Sequence, residues 1–132
     1  MIFLLDASAV VDLLIRSDAG ESVRRFLSGG DDLTLVSVAH LDAEVLSAVA
    51  RLHRAEVLTA AEVTALLERL GALAMQRLPI TASLLAAAWG LRDNVAARDA
   101  LCVAAADSVG AMLVTTDDRL ARSVPHLAAD LS

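Results

Sequence analysis

Four acidic side chains are the residues of this sequence best placed to do chemistry. Asp6 directly follows the apolar run Ile2–Leu5, and Asp117 follows the apolar run Ala111–Thr115 by two residues. Both sit where a buried strand should end, and in an open parallel sheet ligands bind beyond the carboxyl ends of the strands. Glu44 stands one turn into a helical pattern, three residues after Leu41, so it borders an apolar stripe instead of facing away from it. Asp99 is similarly set beside Ala100 and Leu101. Its helix runs into a strand, however, and topology alone gives no reason to bring it to the same edge.

If these carboxylates converge, their repulsion must be relieved by protonation or by a divalent cation. Oxygen donors select Mg²⁺ or Mn²⁺ over Zn²⁺. His40, His53 and His126 are too scattered for metal-ligand spacing. Mg²⁺ held by carboxylates can activate water and stabilise charge on a phosphodiester. Each acid also has a plainer role. Asp6 and Asp117 could be helix N-caps, each contributing about 1 kcal/mol, while Glu44 and Asp99 could complement helix macrodipoles. For any one acid taken singly, the plainer role is the better account.

The elements that would position these acids alternate between strand and helix. Ile2–Leu5 has the continuous apolar character of a strand buried on both faces, and helices are expected over Ser8–Ile15 and Ala19–Leu27. Gly29-Gly30-Asp31-Asp32 is a turn, and Leu33–Val38 is the second strand. Leu41, Val45, Ala48, Val49 and Leu52 form one helical stripe. Thr59 with Glu62 makes a capping box for the next helix, whose far end Gly71 weakens. Leu78-Pro79-Ile80 reads as a short extended piece, and Thr81 caps a helix reaching about Arg92. Asn94 is the expected cap of the helix carrying Asp99, which Gly110 ends. After the strand Ala111–Thr115, a short helix starts at Asp117 and stops at Pro125, and Ala128–Leu131 could add an edge strand. Strand–helix alternation implies βαβ units and a parallel sheet with helices on both faces. Without repeats, low-complexity tracts or linkers, residues 1–132 are expected to form one α/β domain.

Composition narrows the function classes. All 11 basic residues are arginine and there is no lysine, which excludes P-loop nucleotide binding, Schiff-base catalysis and a phosphoryl-transfer receiver that needs a lysine. The net charge of −6 argues against a protein that coats nucleic acid non-specifically, though not against a nuclease whose carboxylates a metal neutralises. Two Phe, one Trp and no Tyr leave little for base stacking, so RNA recognition would rest on shape and backbone. Arg16, Arg92, Arg98 and Arg119 are near the acids in sequence and are candidate phosphate contacts; a solvated helix face accounts for each equally well. Despite 57% hydrophobic residues, no apolar run reaches the ~18–20 residues of a membrane span. One cysteine and no export signal imply a reducing, cytoplasmic setting, with Cys102 a packing residue.

Four segments carry a family resemblance. DASAVVDLL (Asp6–Leu14) resembles the opening motif of the PIN-domain family, especially the small VapC-type toxins of bacterial toxin–antitoxin pairs. HLDAEVLSAVAR (His40–Arg51) resembles the second motif, ARDALCVAAA (Ala97–Ala106) the third and LVTTDDRLA (Leu113–Ala121) the fourth. Each is weak alone, but the ordered set is specific. The resemblance implies a three-layer αβα sandwich around a small parallel sheet and a metal-dependent endoribonuclease with Asp6, Glu44, Asp99 and Asp117 as catalytic acids. It makes Asp6 and Asp99 the firmest Mg²⁺ ligands, with Asp117 and Glu44 completing the site through water or a second metal. It assigns supporting hydrogen bonds to Ser8 and Thr115, and implies an RNA substrate, a cognate VapB-like antitoxin and a homodimer. The chain departs from the family pattern at Cys102, where an aromatic is common, and at Val95, where Thr is usual. Asp12, Asp42, Asp107 and Asp118 match no motif acid and are expected to be solvated or capping.

Overall fold

The computed structural model describes residues 1–132. Four strands, β1 (Ile2–Leu5), β2 (Thr34–Val38), β3 (Gln76–Leu78) and β4 (Met112–Val114), form an all-parallel sheet in the order β3-β2-β1-β4. Period-two alternation explains the uninterrupted apolar run of β1, because successive side chains face opposite sides and both sides are covered. Leu4 packs with Val36, Val38 and Leu113 against α5 (Ala82–Trp89) and α6 (Ala97–Val109). Phe3 and Leu5 point the other way, into a core built by α1 (Ala7–Ile15), α2 (Asp18–Ser28), α3 (Leu41–Arg54) and α4 (Ala60–Ala72). The architecture is therefore the expected three-layer αβα sandwich.

Local signals set most of the boundaries. Ser17 caps α2, and Thr59 with Glu62 forms the reciprocal capping box of α4. Gly110 ends α6 at φ 67°, a left-handed conformation that costs glycine nothing. Gly20 serves a different need: a Cβ there would lie 1.9 Å from the carbonyl oxygen of Asp12, so only glycine lets α2 press against α1.

Three expectations shift. β3 lies at Gln76–Leu78 and shares only Leu78 with the expected Leu78-Pro79-Ile80 piece, because Pro79 has no N–H to donate to the ladder. Asn94 does not cap α6. Its N–H instead bonds the Leu91 carbonyl in a turn, Val95 is buried, and the helix starts after Ala96 with no side-chain cap. Ala128–Leu131 adds a single parallel bridge, Leu113 to Ala128, and no strand.

Register then positions the chemistry. β1 and β4 are neighbours with Leu5 opposite Val114, so the residues that follow, Asp6 and Thr115, emerge side by side at the carboxyl edge. The Asp6 N–H extends the ladder to the Val114 carbonyl at 3.2 Å. On the other flank, the fully buried Ser37 of β2 donates its hydroxyl to the Leu5 carbonyl at 2.6 Å. The backbone carrying Asp6 is thus held from both sides.

Candidate active site

At this edge lies a cleft of about 430 Å³ lined by Asp6, Glu44, Asp99 and Asp117. Residues separated by as much as the distance from Asp6 to Asp117 in sequence meet because β1 and β4 are adjacent and because α3 and α6 both begin here. The four acids are held very differently.

Asp6 is only 6% exposed and is the N-cap of α1. Its Oδ1 accepts the Ala9 N–H at 2.9 Å and the Ser8 hydroxyl at 2.7 Å; its Oδ2 accepts the Thr115 hydroxyl at 2.5 Å. Ser8 and Thr115 each spend their one proton on Asp6, so their mutual 3.1 Å contact is held by Asp6 and not by a bond between them. Thr115 Oγ1 in turn accepts the Asp117 N–H at 3.1 Å, tying the first acid to the fourth. A carboxylate has about four lone-pair sites; three on Asp6 are used, and one on Oδ2 remains. Burial pushes its pKa above the usual carboxylate range, against the lowering effect of those hydrogen bonds, with Asp99 adding to the rise.

Asp117 caps α7 (Asp118–Ser123) through Oδ1, which accepts the N–H groups of Arg119 and Leu120. Its Oδ2 is left free. Asp99 lies in the first turn of α6 but caps nothing, and the causes of its raised pKa are burial first and then the charge of Asp117, with no hydrogen bond among them. Glu44 is also in a first turn, on α3. His40 Nε2 stands 2.7 Å from its Oε1 and Arg98 Nε stands 4.0 Å from its Oε2. The His40 contact is a close approach without hydrogen-bond geometry, because both ring nitrogens are buried and unpartnered. Cys102 lies behind the acids as a buried packing residue; burial pushes its thiol pKa up, and Asp6, Glu44 and Asp99 push the same way.

No three of the acidic, histidine or cysteine side chains converge into a ready-made ligand cage. That geometry disfavours a dehydrated ion in a closed shell. It fits Mg²⁺, which dehydrates reluctantly and is usually held by one or two carboxylates with waters filling the remaining positions. The free oxygens of Asp6, Glu44, Asp99 and Asp117 are the donors available.

Several residues of the cleft carried no motif signal. Asp12 corrects an expectation: it is neither solvated nor a cap. Its Oδ2 accepts the Thr116 hydroxyl at 2.6 Å and its Oδ1 the Ser17 hydroxyl at 2.8 Å, and it lines the cleft. The available signal was its isolation as the one charge in the apolar helix α1. Asp42 is likewise engaged, bidentate with Arg77, whereas Asp107 and Asp118 are exposed as expected. Of the four candidate phosphate contacts, only Arg98 lines the cleft. Arg92 stacks over Trp89 at 4.9 Å, and Arg16 borders a separate depression with Arg69. Arg51 and His40, which no motif marks, line it as well.

The PIN domain model matches residues 3–124. The chain belongs to the PIN-domain family, among its VapC-type members. It is 47% identical to ribonuclease VapC3 of Mycobacterium tuberculosis over 131 residues, covering 96% of this chain and 90% of that protein. Its fold is shared by FitAcB from Neisseria gonorrhoeae, with a TM-score of 0.70, 24% identity and coverage of 99% and 98% of the two chains. VapBC2 from Rickettsia felis, solved bound to a promoter DNA fragment, aligns with a TM-score of 0.69, 17% identity and 98% coverage of each chain.

Proposed function

We propose that this chain is a Mg²⁺-dependent endoribonuclease that hydrolyses RNA phosphodiester bonds. In this reading it acts as a growth-inhibiting toxin and a cognate VapB-like antitoxin neutralises it. The observation that carries the reading is the meeting of Asp6, Glu44, Asp99 and Asp117 in one cleft at the carboxyl edge of the sheet. The name of the similar ribonuclease VapC3 supports the reaction class, and the VapBC2 structure supports an antitoxin partner.

The chain's own residues divide the work. Asp6, Asp99 and Asp117 would hold Mg²⁺ or Mn²⁺, with Glu44 completing the site. Bound there, the ion supplies water activation and charge stabilisation at the phosphodiester. Ser8 and Thr115 keep Asp6 oriented with its remaining lone pair toward the cleft. Arg98 stands beside Glu44, where it can meet phosphate oxygens. In this reading residues 1–132 act as one PIN domain in the cytoplasm. Leu85 and Trp89, one turn apart on α5 and 53% and 67% exposed, offer an apolar face for a homodimer.

One observation favours a second reading, a non-catalytic PIN-fold module that binds protein: Asp6 and Asp117 do cap helices. Capping does not account for Asp99, which accepts no N–H, or for the burial of Asp6. The test is cleavage of RNA with Mg²⁺, with EDTA and with Asp6→Asn. The nuclease reading expects loss of cleavage on chelation and in the variant; activity indifferent to both would overturn it.

A further inference from the structure

The net charge is −6, so a nucleic-acid strand can approach the acidic cleft only where a cation is free to meet it. Three arginines are engaged away from the cleft: Arg24 is paired with Glu21, Arg77 with Asp42, and Arg92 with the Trp89 ring. Two line the cleft, Arg98 and Arg51. Arg98 is drawn toward Glu44. Arg51 has no carboxylate within 4.0 Å, and its Nη1 donates instead to the Ser47 hydroxyl at 3.1 Å. Helical side chains lean toward the N-terminus, so this bond carries the guanidinium back over Ser47, less than one helical turn of about 5.4 Å beyond Glu44. Glu44, Ser47, Ala48 and Arg51 share one face of α3, and all four line the cleft. An Arg held by a neutral hydroxyl keeps its remaining N–H groups for a ligand, and its planar fork matches a phosphate bidentately.

Resting on the nuclease reading, we infer that Arg51 with Ser47 forms a phosphate subsite for single-stranded RNA, binding the phosphate next to the one at the acids. Arg51 is therefore a substrate-binding residue that supports affinity and leaves the chemical step untouched. Its position in the last turn of α3, where a cation also complements the helix dipole, does not require the Ser47 bond or a place in the cleft. Arg54, in the same last turn and outside the cleft, serves as the control.

The test compares the native chain, Arg51→Gln, Arg51→Lys and Arg54→Gln. Fluorescence anisotropy follows binding of a short labelled single-stranded RNA, with Ca²⁺ replacing Mg²⁺ and a gel verifying that the strand stays intact. Arg51→Gln is expected to weaken binding by roughly five- to tenfold, the scale of one charge-assisted hydrogen bond, and to shrink the log–log salt slope by about 0.7. Arg51→Lys should restore the slope and part of the affinity, and Arg54→Gln should match the native chain. In cleavage assays with Mg²⁺, KM should rise and kcat stay constant. Native-like binding and salt slope in Arg51→Gln, an equal loss in Arg54→Gln, or failure of the native chain to bind this RNA would each overturn the subsite. A chain that binds as described but does not cleave would overturn the nuclease reading alone.

Discussion

The two halves of the cleft solve the problem of holding a carboxylate in opposite ways. On the strand side, Asp6 and Asp117 are locked: Asp6 by three hydrogen bonds, Asp117 by two from α7, and the pair joined through Thr115. On the helix side, Glu44 meets only a close histidine and the distant Arg98 guanidinium, and Asp99 only the charges of Asp117 and Arg98. The locked half supplies fixed geometry at low entropic cost on binding. The open half keeps unsatisfied oxygens that water, a cation or a substrate can take without breaking a protein bond. A site that binds a hydrated ion needs both: one side to define where the ion sits, and one side free to adapt around its waters.

The largest expected effect breaks the open half. Asp99→Asn should lower RNA cleavage by more than about a hundredfold, beyond the range seen for outer-shell partners of metal ligands, while circular dichroism stays native because no cap is lost. Thr115→Val attacks the locked half without touching any acid. It removes the donor to Asp6 and the acceptor for the Asp117 N–H, so cleavage at fixed Mg²⁺ should fall about ten- to a hundredfold; unchanged kinetics would mean the lock is ornamental. Gly20→Ala probes the support beneath that half. The added methyl would collide with the Asp12 carbonyl, so α2 must shift at a cost of about 1–3 kcal/mol, read as a lower midpoint in urea. The perturbation should reach activity through Asp12 and Thr116.

The smallest effect is electrostatic, and its sign separates the readings. Asp6 and Asp99 both have raised pKa values, so the metal-free fold binds more protons than the unfolded chain just above the ordinary carboxylate range. Stability in EDTA should therefore fall as the pH rises through that window and level off above it. Asp99→Asn should flatten the profile and raise the metal-free melting temperature at neutral pH. A lower melting temperature instead would mean that Asp99 was acting structurally.

What the sequence makes legible follows the same division. β1 announced itself because a four-residue apolar run ending in Asp6 has few other physical readings, and the capping box at Thr59 marked α4 directly. Asp6 and Asp117 were visible as acids at strand ends. That Thr115 would bond Asp6 depended on β1 and β4 being neighbours, which no local pattern encodes; only the family likeness pointed to it. Asp99 was legible by likeness alone, since nothing in a helix-before-strand order brings its start to the shared edge. Asn94 has the type of a cap but closes a turn onto Leu91 beside the buried Val95, and the role of Asp12 is not legible locally because its partners, Ser17 and Thr116, come from a turn and from a loop far along the chain.

The proposed nuclease requires a divalent cation at the cleft where these four acids meet. Crystals soaked in Mn²⁺ and measured for anomalous scattering test it most directly. A peak within coordinating distance of Asp6 and Asp99, with Asp117 or Glu44 reached directly or through water, is the expected result. Anomalous peaks only elsewhere on the surface, at a Mn²⁺ concentration that supports full RNA cleavage, would contradict it.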